Sequence, residues 1–273
     1  MFIKNKLISI LNTSFNGKEI IEMNKLALIT GGSRGIGRDC ALALAKKGVD
    51  IVITYNSQFD TAQTVVTELR ELGVKASMLQ LDTTQTDSFP MFVDQLKSEL
   101  AAYFNRNSLD YLLNNAGTGL GSSIEATTEV EFDTMYQIHL KGPFFLTQAL
   151  LPYMAEGGSI LNVSSGLTRF SLPGSSAYAI MKGGVEVMSR YFAKEFSQRQ
   201  ITANTIAPGA IATDFRGGAV RDNPEYHKMV SNITSLGRPG LPEDISAVVA
   251  FLLSDQAHWI TGQRIEASGG MFL

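Results

Sequence analysis

One cysteine among 273 residues, Cys40, excludes an internal disulfide framework and leaves no companion thiol for a metal site. Its helical alignment with Ile36 and Leu44 predicts a small core residue. The chain has no stretch approaching the ~20 apolar residues of a membrane span. It also has no Lys/Arg cluster, and its formal net charge is -3. These absences argue against a membrane or nucleic-acid partner. No Pro/Ser-rich linker or charge run divides the sequence, which favours one large domain. Acidic residues are missing before Glu19, where Ile3, Leu7, Ile10 and Leu11 recur at helical spacing around Lys4 and Lys6. That segment has no small-residue cleavage site and no arginine, so it reads poorly as a secretory or organelle leader. Residues 1–24 are expected to be a dispensable extension, with Met23 as an alternative start, on a cytoplasmic protein whose working domain is 25–273.

What is present is an alternation. Apolar runs predict strands at Leu26–Ile29, Asp50–Tyr55, Ala76–Leu81, Tyr111–Leu113, Ser159–Val163, Thr202–Ala207 and Gln263–Glu266. Between them, amphipathic patterns predict helices at Ile36–Lys47, Thr61–Leu72, Thr86–Phe104, Glu129–Met154, Ala177–Gln198 and Pro242–Leu253. Right-handed crossovers then place helices on both faces of one parallel sheet, the single-domain, doubly wound α/β arrangement of a Rossmann fold.

In such a sheet ligands bind beyond the carboxyl ends of the strands. Thr30-Gly-Gly-Ser-Arg-Gly-Ile-Gly37 follows the first strand and opens the first helix, so Gly31, Ser33, Arg34, Gly35, Ile36 and Gly37 are candidates for cradling a pyrophosphate. Farther along, Tyr178 and Lys182 stand four residues apart. At about 3.6 residues per turn they share a helix face. A cation beside a phenol lowers the tyrosine pKa from about 10 toward the range useful for proton transfer.

Together these motifs resemble the short-chain dehydrogenases/reductases, in their compact single-domain branch, from about Lys25 to the carboxyl terminus. Asn114-Asn115-Ala116-Gly117 follows the fourth strand, as in that family. Asp82, with Thr83 beside it, resembles the family's adenine-contacting aspartate. Ser165 lies 13 residues before Tyr178, the family's spacing for its catalytic serine. Pro208, Gly209, Ile211 and Thr213 resemble the segment that meets the nicotinamide and its phosphates. The resemblance implies that Ser165 holds a substrate carbonyl, Tyr178 gives or takes its proton, and Lys182 serves Tyr178 and the nicotinamide ribose. The expected reaction interconverts a ketone, with 3-oxoacyl compounds included, and a secondary alcohol. Two other readings stand beside it: a nucleotide-binding sensor or scaffold without turnover, and a related dehydratase or epimerase. The first is opposed by the joint presence of Ser165, Tyr178 and Lys182, the second by the glycine spacing.

His139 departs from the family pattern, which usually has asparagine there; it is expected to face the interior and to complete a relay with Ser165, Tyr178 and Lys182, by its ring or by its backbone carbonyl. Cofactor choice turns on Tyr55-Asn56-Ser57 at the end of the second strand. With no acid there to repel a 2′-phosphate, and Arg34 available to pair with one, NADP(H) is preferred over NAD(H). Residues 212–236 are expected to form an irregular substrate lid, and Phe215, Tyr226 and Met229, with Leu167, Phe170 and Leu172, to line an apolar pocket. Arg169, Arg216 and Arg221 are candidates for recognising an anion. Ile180, Val187 and Tyr191 form a second apolar stripe suited to a homotetramer or homodimer interface. Ser268 stands where the family often has an acid.

Overall fold

A sheet buried on both faces reads as continuous apolar runs, because successive side chains point to opposite cores. Strand β1 (Leu26–Ile29) does this over its whole length. Ala27 and Ile29 join one core, while Leu26 and Leu28 join the other. The computed structural model describes residues 24–273. The expectations for the preceding extension lie outside the described residues.

Six further strands complete the sheet: β2 (Asp50–Tyr55), β3 (Ala76–Gln80), β4 (Leu109–Asn114), β5 (Met154–Val163), β6 (Thr202–Pro208) and β7 (Arg264–Ala267). All pairings are parallel, in the order β3-β2-β1-β4-β5-β6-β7. The chain leaves β1 in one direction to β2 and later returns to its other side as β4, with Ile29 paired to both Ile53 and Leu113. The loops after β1 and β4 therefore diverge and open a crevice at this switch point. Helix α1 (Gly35–Ala45), α2 (Phe59–Glu71) and α3 (Phe89–Glu99) follow the first three strands. On α1, Cys40 is fully buried in the core as expected.

The long helix expected at Glu129–Met154 is interrupted. It comprises α4 (Glu129–Tyr136), a π turn at Gln137–Lys141 and α5 (Gly142–Leu150), and Met154 already belongs to β5. A capping box between Thr128 and Glu131 starts α4. At the break, Gly142 sits so close to Thr83 that a Cβ would lie 2.3 Å from the Thr83 carbonyl oxygen. Helix α6 (Ser176–Glu195) buries Met181, Val185, Met188 and Phe192 and leaves Ile180, Val187 and Tyr191 exposed, which gives the two stripes read from its sequence.

The stretch at 212–236 is less irregular than expected. It contains α7 (Ala219–Asp222) and α8 (Pro224–Asn232). Asn223 caps α8 by accepting from the amides of Glu225 and Tyr226 at 3.0 Å each, and Pro224 supplies a preset first helical residue. Helix α9 (Pro242–Leu252) then packs beside α1 on the core that receives Ile29.

Candidate active site

Two loops lock together at the switch point. Asn115 donates its side-chain amide to the carbonyls of Thr30 and Gly31 at 2.9 and 3.2 Å, while the Thr30 hydroxyl accepts from the amides of Asn115 and Ala116 at 2.9 and 3.0 Å. Gly31 has a φ of 63°. A Cβ on Gly37 would lie 2.3 Å from the Gly31 carbonyl oxygen, so the turn closes only with glycine there. Gly117 is as tightly placed, for a Cβ there would meet the His139 ring at 2.8 Å.

This loop fits a dinucleotide. The residue before α1, Arg34, makes no side-chain cap, and the first turn of α1 has no acid. Its leading amides and positive dipole end are thus free for a phosphate. Arg34 is exposed, Thr213 lies over Gly35, and Ser33 and Thr83 are buried nearby. Tyr55 is half-buried with its ring edge-on to Phe59, and Asn56 and Ser57 are exposed beyond it. Asp82 accepts from the amide and hydroxyl of Thr84 at 2.9 and 2.8 Å, which shapes its own turn. Gly209 donates to Ala267 at 3.1 Å and packs on Ser268, with Pro208 buried before it. Ile211 instead turns toward Gly240. Asn114 also faces away from the crevice, donating to Thr147 and Asn162 in the core at 3.0 and 2.8 Å.

The end of β5 and the start of α6 carry the candidate reacting groups. Ser165, immediately after β5, is 9% exposed, and its hydroxyl accepts from the Leu167 amide at 3.2 Å. Tyr178 is pushed up to about 12 chiefly by loss of hydration, against which a hydrogen bond with Ser165 and the charge of Arg216 pull it down. Lys182 is buried, and burial pulls it down to about 7. Its Nζ donates to the Val163 carbonyl at 2.6 Å and lies 5.6 Å from the centre of the Tyr178 ring. Lys182 thus stands against the Tyr178 ring, as the four-residue spacing predicts, with its ammonium bonded to the strand.

His139 lies in the π turn, with 1% of its surface exposed. Nε2 is 2.7 Å from the Thr118 carbonyl oxygen, which can only accept, so Nε2 carries the proton. Nδ1 is then a bare acceptor, buried without a partner. Burial first, then the nearby Lys182 charge, hold the ring well below the usual histidine range. Its neighbours are less enclosed than the helical pattern suggested: Met135 is buried, but Phe132 and Tyr136 are exposed, since the π turn shifts the face by an extra residue.

A polar network behind Ser165 escaped the sequence reading. Glu186, one turn past Lys182, accepts from Ser164 at 2.8 Å, Thr168 at 2.7 Å and Arg264 at 2.8 Å. Arg264 also pairs with Glu266, which receives Arg169 and Ser268. Only the position of Glu186, four residues past Lys182 on the same helix face, hinted at it. Of the expected pocket residues, Phe215 reaches Tyr178 with ring centres 6.0 Å apart, whereas Phe170 packs on Phe272 at 4.7 Å. Leu167 and Leu172 are half-buried, and Tyr226 and Met229 lie on α8.

A doubly wound sheet with a phosphate-cradling loop at its switch point and a serine, tyrosine and lysine beside it defines a nucleotide-dependent oxidoreductase. A family model described as enoyl-(acyl carrier protein) reductase matches residues 31–272. The chain is 37% identical to an uncharacterised oxidoreductase of Methylorubrum extorquens, over 90% of this chain and 97% of that one. It is 36% identical to a 3-oxoacyl-[acyl-carrier-protein] reductase of Staphylococcus epidermidis, over 92% of this chain and all of the relative. Among solved structures, the angucycline C-6 ketoreductase LanV with bound NADP superposes with a TM-score of 0.86 at 36% identity, over 91% of this chain and 95% of that one. The protein belongs to the short-chain dehydrogenase/reductase family.

Proposed function

We propose that this protein is an NADP(H)-preferring ketone reductase, working reversibly on secondary alcohols, with Tyr178 as its acid and base. The observation that carries the reading is Lys182 beneath the ring of Tyr178, with Ser165 just after β5, beside the glycine loop. When bound, the nicotinamide supplies or accepts the hydride. Ser165 donates to the substrate carbonyl oxygen and fixes its direction, and Tyr178 protonates that oxygen as charge develops on it. Lys182, beneath the ring and bonded to the Val163 carbonyl, is the residue suited to the nicotinamide ribose.

His139 supports proton resupply through its backbone. Residue 143, one α-helical turn on, is a proline and has no amide to donate to the His139 carbonyl, which is proposed to hold a water of the relay. The ring contributes an acceptor, Nδ1, so its part in the relay is to receive a hydrogen bond.

The NADP(H) preference rests on the absence of an acid at the end of β2 and on the exposed Arg34, with Asn56 and Ser57 as neutral donors. Arg38, one turn further, is already paired with Glu68. The NADP held by the angucycline ketoreductase points the same way, and the 3-oxoacyl substrate named for the staphylococcal relative supports a ketone substrate. Asp82, Thr83, Asn115, Ala116, Gly117, Pro208, Gly209 and Thr213 are assigned to the remaining cofactor contacts; Ile211 serves by packing. Residues 212–236 act as the lid. The exposed stripe of Ile180, Val187 and Tyr191 supports a homodimer or homotetramer, and a cytoplasmic location completes the proposal.

A screen of ketones and 3-oxoacyl thioesters with NADPH and with NADH tests the reading. Ketone-dependent oxidation of NADPH, faster than that of NADH, supports it. Tight cofactor binding without turnover across the panel replaces it with the sensor.

A further inference from the structure

Three arginines stand on the substrate side of the site, and two of them are already neutralised. Arg169 makes two hydrogen bonds with Glu266 and a third with the Met271 carbonyl. Arg221 is held between Asp214 and Asp222. Arg216 alone of the three has no carboxylate partner. Its guanidinium rests on two neutral acceptors, the Leu120 carbonyl at 2.7 Å and the Ser175 hydroxyl at 3.4 Å.

Both acceptors border the tyrosine. Ser175 precedes α6, and Leu120 packs in the small apolar cluster that includes Tyr178. The neighbouring Phe215 ring faces that of Tyr178. The slot for the Arg216 side chain is shaped for it: a Cβ on Gly119 would lie 2.3 Å from the Arg216 stem, and one on Gly121 would lie 2.6 Å from its guanidinium. Arg216 is itself left-handed, with φ 53° and ψ 42°, and Gly217 and Gly218 continue in that conformation. A non-glycine residue adopts this backbone at a cost, which here directs the side chain back over the crevice.

We infer that Arg216 recognises a carboxylate on the substrate, so that the natural substrate is an oxo acid whose carboxylate lies within a few bonds of its ketone. The inference rests on the ketone-reductase reading above. An arriving carboxylate exchanges the weak Ser175 contact and the Leu120 carbonyl for a two-pronged ionic hydrogen bond, which the planar guanidinium is built to make. The same exchange frees the lid segment from the 118–123 loop and couples substrate binding to lid position.

The test compares oxo acids carrying the carboxylate one, two or three carbons from the ketone with their methyl esters, using NADPH, in wild type, Arg216→Gln and Arg216→Lys. For at least one spacing, wild-type kcat/KM is expected to favour the acid over its ester by about 10- to 100-fold, mainly through KM. Arg216→Gln should collapse that ratio toward one, and Arg216→Lys should retain part of it as a point charge. An acid-to-ester ratio near one in wild type, or one unchanged in Arg216→Gln, overturns the inference. Reduction of neutral ketones with no use of any acid also overturns it and leaves the ketone-reductase reading standing. Absence of turnover with every carbonyl defeats that reading first, and the inference with it.

Discussion

The ring of His139 stands edge-on to that of Tyr178, with centres 5.0 Å apart and planes at 87°. The Thr118 carbonyl fixes the tautomer, and burial with the Lys182 charge keeps the ring neutral. Nitrogen NMR of the histidine rings should therefore show His139 as the neutral Nε2–H tautomer at a pH where an exposed histidine is half protonated. His139→Ala should lower kcat roughly 10-fold or more by loosening the wall behind Tyr178, while His139→Asn should restore much of it. Undiminished turnover and an unaltered pH profile in the alanine variant would remove the ring from the account and leave the backbone carbonyl.

Lys182 gives stability a pH dependence of definite sign. Its value in the folded protein is about 7, against an ordinary 10.5. Below pH 7 folded and unfolded chains both carry the proton, and the cost of enclosing an ammonium is felt in full. Between about 7 and 10.5 the unfolded chain holds the proton and the folded chain does not, so stability rises with pH. Urea unfolding of the cofactor-free protein should find Lys182→Met more stable than wild type below pH 7, by on the order of 1–4 kcal/mol. The gap should narrow steadily toward pH 10. A gap that is constant with pH would assign the effect to packing.

Arg34 is exposed and carries no acidic partner among the described residues, in contrast to Arg38. Replacing it with alanine should raise the KM for NADPH about 10-fold or more and change the KM for NADH by less than about twofold. Ser57→Asp should push the preference further toward NADH by repelling a 2′-phosphate. Equal effects of Arg34→Ala on both cofactors would place the arginine on the shared pyrophosphate instead.

Glu186 joins α6 to the loop carrying Ser165 and, through Arg264, to β7. Its loss leaves the Ser164 hydroxyl without a carboxylate acceptor and Arg264 with Glu266 as its one remaining carboxylate. Glu186→Ala is expected to cost about 1–3 kcal/mol in urea unfolding and to reduce kcat more than the KM for NADPH. Glu186→Gln, which keeps the hydrogen-bonding shape, should recover most of the stability. Wild-type stability and kcat in the alanine variant would show that the network is incidental.

The centre of the sheet was legible because β1 and β2 are short apolar runs, and both have the bounds read from the sequence. The reacting trio was legible for a related reason, since motif spacing is local. Interruption of the helix after Glu129 was hidden, because a π turn adds one residue without changing the apolar pattern. The roles of the three arginines were hidden too. Whether a guanidinium is free depends on partners remote in sequence, such as Glu266 for Arg169, 97 residues away. The four-residue spacing placed Lys182 against the Tyr178 ring, 5.6 Å from its centre, but could not show the bond of its ammonium to the Val163 carbonyl.

Tyr178→Phe removes one hydroxyl and keeps the ring packed against His139 and Phe215. Steady-state turnover of the best ketone with NADPH, measured beside NADPH binding to the same variant, tests the central claim most directly. The account predicts a fall in kcat of about 100- to 10,000-fold with cofactor binding retained. Turnover within about twofold of wild type would contradict it, because the proton would then come from another group.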